Sequence, residues 1–294
     1  MPLDEPLLYD TGLELNRRAA TLLPRDVRQA IGAMKSAESE ELPRYVLGCI
    51  AENWDAAEVE ARPLCADTGL PRFYVRCGND AAIDGGFAAL ERALRRSTAE
   101  ATHAVPLRPN RVHPLTRHDP DNNVGAHAPS ITYAFEPEGD WIDITAVHRG
   151  GLFGADYRML FPSDGMDGVK RFFLECIGQS FQRGLSCPPV IVGVGLGGTK
   201  DDCFRLGQEA ACLRCVGDRH PDPAIAALEE ELTALGNEAG FGPMGYAGSS
   251  AVMDVHIEIA YAHTGGLPVG LHHFCFATRR STARLHPDGR VEYR

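Results

Sequence analysis

The stretch Ser186-Cys-Pro-Pro-Val-Ile-Val-Gly-Val-Gly-Leu-Gly-Gly-Thr-Lys-Asp201 decides how the rest of the chain is read. Val190 to Val194 is a short β-branched apolar run bounded by proline and glycine, the pattern of a buried strand. Pro188 and Pro189 keep the strand from starting earlier and fix the backbone just after Cys187. Gly193, Gly195, Gly197 and Gly198 let another group approach the strand closely and let the chain turn sharply at its end. Thr199, Asp201 and Asp202 then offer caps for a helix over 202–215. Upstream, Val169, Phe172, Phe173, Cys176, Ile177 and Phe181 share one helical face, so an amphipathic helix delivers the chain to Cys187. A strand between two helices is the local signature of an α/β or α+β fold.

Working outward from this centre, Asp222-Pro223 opens another helix with face residues Ile225, Leu228, Leu232 and Leu235, and Gly236 as its C-cap. Ala251 to Ala262 and Val269 to Phe274 read as strands, the first alternating from Met253 to Ile259. Asp288-Gly289 closes a hairpin-like tail. Towards the N-terminus, helices are expected at 24–36, 40–60 and 84–98, the last capped by Asp84. In the 40–60 helix Tyr45, Val46, Cys49, Ile50 and Trp54 fall on one face, which makes Cys49 a core residue. A strand runs to Cys77-Gly78 from a turn built on Asp67, Thr68 and Gly69. Ser130 to Phe135 and Trp141 to Val147 read as a hairpin. Between residues 107 and 127 no periodicity holds. That segment carries Arg108, Arg111, Arg117, His113, His118 and His127, and is either a solvated polar loop or a carboxylate-binding surface. The expectation is mixed sheets surrounded by helices in a single domain over 1–294, with room for two lobes.

Composition narrows the function. A net charge of −11 over 294 residues argues against nucleic acid and anionic membrane as general partners. An anionic substrate would then need locally clustered arginines. No apolar run reaches the ~18 residues of a membrane span, and no charged segment followed by an apolar one marks an export signal. A cytoplasmic location is expected. Nine cysteines in such a chain suggest thiols or metal ligands rather than disulfides. Cys212-Leu-Arg-Cys215 is a lone C-x-x-C with no second pair for zinc. Cys65, Cys187 and Cys275 each lie at a strand end or turn, off any apolar helical face, a context Cys77 shares. Three thiolates from distant points would suit a [4Fe–4S] cluster with one iron left open to act as a Lewis acid. Gly193-Val-Gly-Leu-Gly-Gly198 also fits a dinucleotide-binding glycine motif, though Asp218, at the right distance for its acid, lies in an apparent turn.

Several segments together resemble the class I fumarases and L-tartrate dehydratase α subunits. They are Cys65-Ala-Asp-Thr-Gly69, Leu107-Arg-Pro-Asn110, Asn123-x-Gly-x-x-x-Pro129, Gly150-Gly151, the Cys187 block, Gly242-Pro-Met-Gly245 and His263 through Cys275-x-Ala277, in that family's order over about residues 10–290. The resemblance implies an iron–sulfur hydro-lyase with a [4Fe–4S] cluster on Cys65, Cys187 and Cys275. It implies Asp67 as an acid beside the cluster and His263 as an active-site proton-transfer or hydrogen-bonding group. Arg108 matches a substrate-carboxylate arginine, and Gly150 and Gly151 match a loop lining the substrate. Two departures stand out: Ala66 replaces the family's glutamine, and Leu152 and Phe153 stand in its polar glycine loop. They point to a substrate other than malate or L-tartrate, with an apolar substituent. The second domain of single-chain class I fumarases has no counterpart here, so a separate β subunit is expected to complete the site, in a dimer of αβ units. A non-catalytic relative that kept the fold is the competing reading.

Overall fold

The computed structural model describes residues 2–150 and 155–294. In chain order the helices and strands are α1 (Glu5–Thr21), α2 (Arg25–Ala37), α3 (Glu41–Glu60), β1 (Leu70–Gly78), α4 (Gly86–Ala104), β2 (Ser130–Glu136), β3 (Ile142–Arg149), β4 (Ala155–Leu160), α5 (Gly165–Gln182), β5 (Val190–Gly197), α6 (Lys200–Leu213), α7 (Pro223–Glu238), β6 (Val252–Ala260), β7 (Leu267–Phe274), β8 (Arg280–Leu285) and β9 (Val291–Tyr293). Helices and two mixed sheets make this the α/β class expected from the sequence. The chain divides into two compact units, one formed by 1–24, 54–151 and 279–294, the other by 25–53 and 152–278.

The first unit is built on the sheet β2-β1-β3-β8-β9. β1 runs parallel to β2 and antiparallel to β3, so the two strands read as a hairpin are not partners. Period-2 alternation marked both strands, but β1 lies between them, a pairing that local pattern cannot show. One sheet face carries Phe73, Val75, Ile142, Ile144, Ala283 and Leu285 onto a core shared with Leu8, Leu15, Leu90 and Leu94 of α1 and α4. α1 starts where Asp4 accepts from the Leu7 amide at 2.9 Å, a regular N-cap with Pro6 in the first turn. It occupies residues to which the sequence pattern assigned no element. α4 begins at Gly86 after a left-handed Gly85, so Asp84 is not its cap. The opposite sheet face is polar. Arg284 grips Asp143 with two bonds of 2.7 and 2.6 Å, and Thr145 meets Thr282 at 2.8 Å.

The second unit is built on the sheet β4-β7-β5-β6, with β5 parallel to β6 and antiparallel to β7. Alternation along β5 sends Val190, Val192, Val194 and Leu196 into a core with Phe172, Phe173 and Ile177 of α5 and Leu228 and Leu232 of α7. Its other face packs on α6. A Cβ at Gly193 would lie 1.9 Å from the Gly207 carbonyl oxygen, and one at Gly195 the same distance from that of Cys203. The glycine motif thus serves close helix-to-strand packing, and the Cys203 thiol donates to the Gly195 carbonyl at 3.0 Å. Thr199 and Asp202 cap α6 reciprocally.

β6 forms the expected strand but is buried on both sides through Ile257, so its alternation places Asp254 and His256 inside. Two local expectations nearby fail, at Gly236 and Cys49. Asp254 is met by Arg219 at 2.9 Å and the Gly217 amide at 2.7 Å, and buried Glu229 is met by Arg214 at 2.6 Å. Gly236 lies inside α7 against Val252 and Phe173 rather than capping it. Cys49 is exposed, as is Tyr45 at 68%, so the core face of α3 is narrower than the apolar spacing suggested.

Candidate active site

In the first unit the candidate residues stand on two loops. Cys65 and Asp67 are half-buried in the turn between α3 and β1. Asp67 Oδ1 accepts from the Gly69 amide at 3.1 Å, closing an Asx turn, and from Asn110 Nδ2 at 2.9 Å. Among the described residues its Oδ2 carries no hydrogen bond, which leaves one carboxylate oxygen available. Gly69 has φ of +82°, and a Cβ there would sit 2.7 Å from the His148 carbonyl oxygen, so the turn requires glycine on two counts.

Arg108 and Asn110 lie on the irregular segment after α4, docked against this turn by a network of polar groups. The Arg108 amide donates to Thr68 Oγ1 at 2.9 Å. Asn110 Nδ2 reaches the Gly69 carbonyl at 3.0 Å as well as Asp67. Behind them Asn123, fully buried with φ of +58°, donates to the Arg108 carbonyl at 3.1 Å and Thr102 Oγ1 at 3.2 Å, and accepts from the Asn110 amide at 2.9 Å. The Arg108 backbone is therefore fixed while its side chain is exposed, an arrangement suited to an anion arriving from solvent.

Beneath the Asp67 turn lies Arg279, 1% exposed and the largest fully buried side chain among the described residues. Its Nε donates to the His148 carbonyl at 2.9 Å and its Nη1 to the Asp67 carbonyl. The His148 amide returns a bond to the Arg279 carbonyl at 3.0 Å. His148 is itself completely buried, with Nε2 2.8 Å from Asn16 Oδ1. Asn16 Nδ2 donates to the Gly12 carbonyl at 2.8 Å, so its Oδ1 is an acceptor and His148 is the neutral Nε2–H tautomer. Burial and the nearby Arg279 cation depress its pKa to about 3. Gly150 is buried just past the end of β3, whereas Gly151, Leu152 and Phe153 lie outside the described residues.

In the second unit Cys187 precedes β5 and Cys275 follows β7. Because these strands are antiparallel neighbours, with Ile191 opposite Phe274, the two cysteines come to the same edge of the sheet. The Phe276 amide donates to the Cys187 carbonyl at 3.2 Å, and Met244 holds the Pro188 carbonyl at 2.9 Å. Cys187 is half-buried and Cys275 buried. His263 lies elsewhere. It is exposed on the connection from β6 to β7, beyond the opposite end of β5, with the length of β7 from Leu267 to Cys275, ~26 Å at ~3.3 Å per residue, between them along the sheet. There its Nδ1 accepts only a local bond from the Gly265 amide at 3.1 Å.

None of the nine cysteines forms a disulfide. Cys77 is buried in the core of the first unit, where burial pushes its thiol pKa up. Cys203 is likewise pushed to about 12 by burial. Cys212 is buried on α6 and Cys215 exposed beyond it. Among the described residues no three His, Cys, Asp or Glu side chains are gathered to hold one metal ion. A four-iron cluster makes a different demand, since each cysteine binds its own iron and the thiolates need not converge on a point. Cys187 and Cys275, held together at one sheet edge, have the soft donor chemistry that irons in such a cluster take.

Asn110, Asn123, His148 and Arg279 hold the acid turn, and sequence reasoning did not assign them that work. Asn123 could have been flagged as a residue type that tolerates positive φ within a non-periodic segment. Arg279 carries no such signal, because Thr278-Arg-Arg-Ser reads as exposed.

A fold of this kind, with a pinned acid, a fixed arginine loop and paired strand-end cysteines, fits a hydro-lyase. The model of the fumarate hydratase (Fumerase) family matches residues 10–284. A Methanocaldococcus jannaschii chain named, provisionally, L(+)-tartrate dehydratase subunit alpha is 40% identical over 289 residues, covering 97% of this chain and 99% of that one. L(+)-tartrate dehydratase subunit alpha from Escherichia coli is 34% identical over 271 residues, 92% of this chain and 88% of its own, and the Shigella boydii protein of that name matches to the same extent. The chain belongs to the fumarate hydratase family, the class I fumarases, and is a hydro-lyase chain by that membership.

Proposed function

We propose that this chain is the α subunit of a [4Fe–4S]-dependent hydratase/dehydratase that adds or removes water on a small hydroxy carboxylate, with a separate β subunit completing the site. The observation that carries the reading is the Asp67 turn, where one carboxylate oxygen is tied to Asn110 and Gly69 and the other is left open. Cys65, Cys187 and Cys275 would hold the cluster. When bound, it supplies an iron that polarises the substrate's departing hydroxyl. Asp67 Oδ2 is placed to accept or return a proton, and the rigid turn keeps it at a fixed position. The Arg108 guanidinium, on a backbone anchored to Thr68 and Asn123, binds a carboxylate and orients the acid. His263, on the connection from β6 to β7, would serve as a further proton-transfer or hydrogen-bonding group at the substrate.

The relatives' names point to L-tartrate, yet Ala66, Leu152 and Phe153 are less polar residues than the family pattern carries at those positions. We propose a hydroxy acid bearing an apolar substituent, and a dimer of αβ units as the working assembly. The test is coexpression with its β subunit, anaerobic cluster reconstitution, and product analysis on L-tartrate, malate and 2-methylmalate. The expected result is visible iron–sulfur absorption that is lost when any of the three cysteines becomes serine, with kcat/KM highest for the alkylated acid. Efficient turnover of L-tartrate or fumarate would overturn the substrate assignment. Turnover by this chain alone would overturn the need for a β subunit.

A further inference from the structure

On the polar face of the first unit's sheet, arginines gather at one end. Arg72 of β1 lies in register with Val147 of β3, which in turn lies opposite Arg280 of β8, so these three side chains share a face. Arg149 stands diagonally across the ladder from Arg72. Arg111, from the same loop as Arg108 and Asn110, joins them through a bond from its Nη2 to the Pro71 carbonyl at 3.1 Å. Further along this face every cation has an acid: Arg76 pairs with Glu136 and Arg284 with Asp143. Arg72 and Arg111 have none among the described residues.

Both guanidiniums hide a donor. The Nε atoms of Arg72 and Arg111 are each buried from solvent and each without a hydrogen-bond partner. Arg72 otherwise makes one long contact, Nη2 to Thr132 Oγ1 at 3.4 Å, and lies over the Tyr74 ring at 5.0 Å. Burial and the adjoining Arg72 charge also push the Arg111 pKa below its ordinary value. Two like charges with buried, unsatisfied N–H groups are costly to hold together, and such an arrangement persists where a ligand relieves it. The planar fork formed by Nε and Nη matches the two oxygens of a carboxylate.

We propose that Arg72 and Arg111 form an oxyanion subsite that binds a carboxylate group of a small acid. That the acid is the enzyme's substrate rests on the function proposed above; that the pair binds a carboxylate does not. Substrates would then carry a second carboxylate in addition to the one taken by Arg108, a constraint no residue of the Cys65-Ala-Asp-Thr-Gly69 turn imposes.

The experiment uses the full chain without cluster or partner, so it is independent of turnover. Succinate, acetate and inorganic phosphate are titrated by calorimetry and by thermal shift against wild type, Arg111→Met, Arg111→Lys and Arg72→Met. The expected result is saturable succinate binding that is weakened at least about tenfold in both Met variants. Arg111→Lys should retain part of it, keeping the charge and losing the fork. Because the methionine removes an uncompensated charge, Arg111→Met without ligand should melt no lower than wild type. A wild-type chain that gives no saturable response, variants that bind succinate as wild type does, or a preference for phosphate over succinate would each overturn the proposal. Failure of the hydro-lyase reading would appear separately, as a reconstituted complex without turnover whose α chain still binds succinate through these arginines.

Discussion

Replacing Asn123 should loosen the loop that presents Arg108 and Asn110, and the cost can be worked bond by bond. The side chain makes three hydrogen bonds, to the Arg108 carbonyl, to Thr102 Oγ1 and from the Asn110 amide. At about 1 kcal/mol net for each, Asn123→Gly should destabilise the first unit by about 3 kcal/mol, more if the half-buried Asn110 amide and Arg108 carbonyl find no water. Asn123→Ala loses the same bonds and must also hold a β-carbon at φ of +58°, which adds about 1 kcal/mol. The readout is specific, because the chain's two tryptophans, Trp54 and Trp141, both belong to the first unit. Urea unfolding followed by tryptophan fluorescence therefore reports that unit. In the αβ complex the same variants should raise KM more than they lower kcat if Arg108 acts in binding, as proposed. An alanine variant within about 1 kcal/mol of wild type would refute the claim that Asn123 holds the loop, given the sum of its three bonds. Equal midpoints for the Ala and Gly variants would refute the backbone part of the argument.

Two further perturbations test the packing and the buried histidine. Gly193→Ala or Gly195→Ala would drive a methyl into the backbone of α6, which no rotamer change can relieve, and should cost about 3 kcal/mol or more, whereas Gly32→Ala on α2, with nothing within 4 Å, should gain up to about 1 kcal/mol; equal circular-dichroism melts for Gly193→Ala and wild type would contradict the close approach. Since the His148 pKa falls from an ordinary 6.5 unfolded to about 3 folded, the unfolded chain binds the extra proton between those values, so stability falls as pH falls through that window, by up to about 1.4 kcal/mol per pH unit. His148→Gln should flatten the pH dependence of the urea midpoint between pH 6 and 4, and a variant with the wild-type slope would show that His148 is not the group responsible.

What the sequence made legible follows the range of the interactions. α5, β5 and α6 were readable because their signals are local: an apolar stripe, a β-branched run between proline and glycine, and a threonine cap with its acid three residues on. The β2–β3 hairpin was misread for the complementary reason. Alternation identifies a strand but not its partner, and β1, from more than fifty residues upstream, intervenes. β6 was readable as a strand, but its alternation does not tell that both faces are buried, with Asp254 and His256 inside where Arg219 arrives from a distant segment. Cys49 was placed in the core on spacing alone, though only the packing around α3 decides which part of an apolar stripe is covered.

The candidate site divides in the same way. Cys65, Asp67 and Arg108 were picked out by their chemical types within recognisable motifs, and the structure joins the last two through Thr68 and Asn110. What those motifs do not contain is the support. The Asp67 turn is held from below by Arg279, more than two hundred residues away, and Arg279 is held in turn by His148. A buried arginine donating to two backbone carbonyls fixes the turn through its main chain and leaves the Asp67 carboxylate its own bonds to Gly69 and Asn110. An aspartate or glutamate in its place beneath the turn would repel Asp67 and could not donate to either carbonyl. A hydrophobic residue would leave the Asp67 and His148 carbonyls without these donors. Arginine, with donors in a rigid fork and a stem long enough to span both carbonyls, meets the requirement, and that is why the largest fully buried side chain among the described residues lies under the candidate acid.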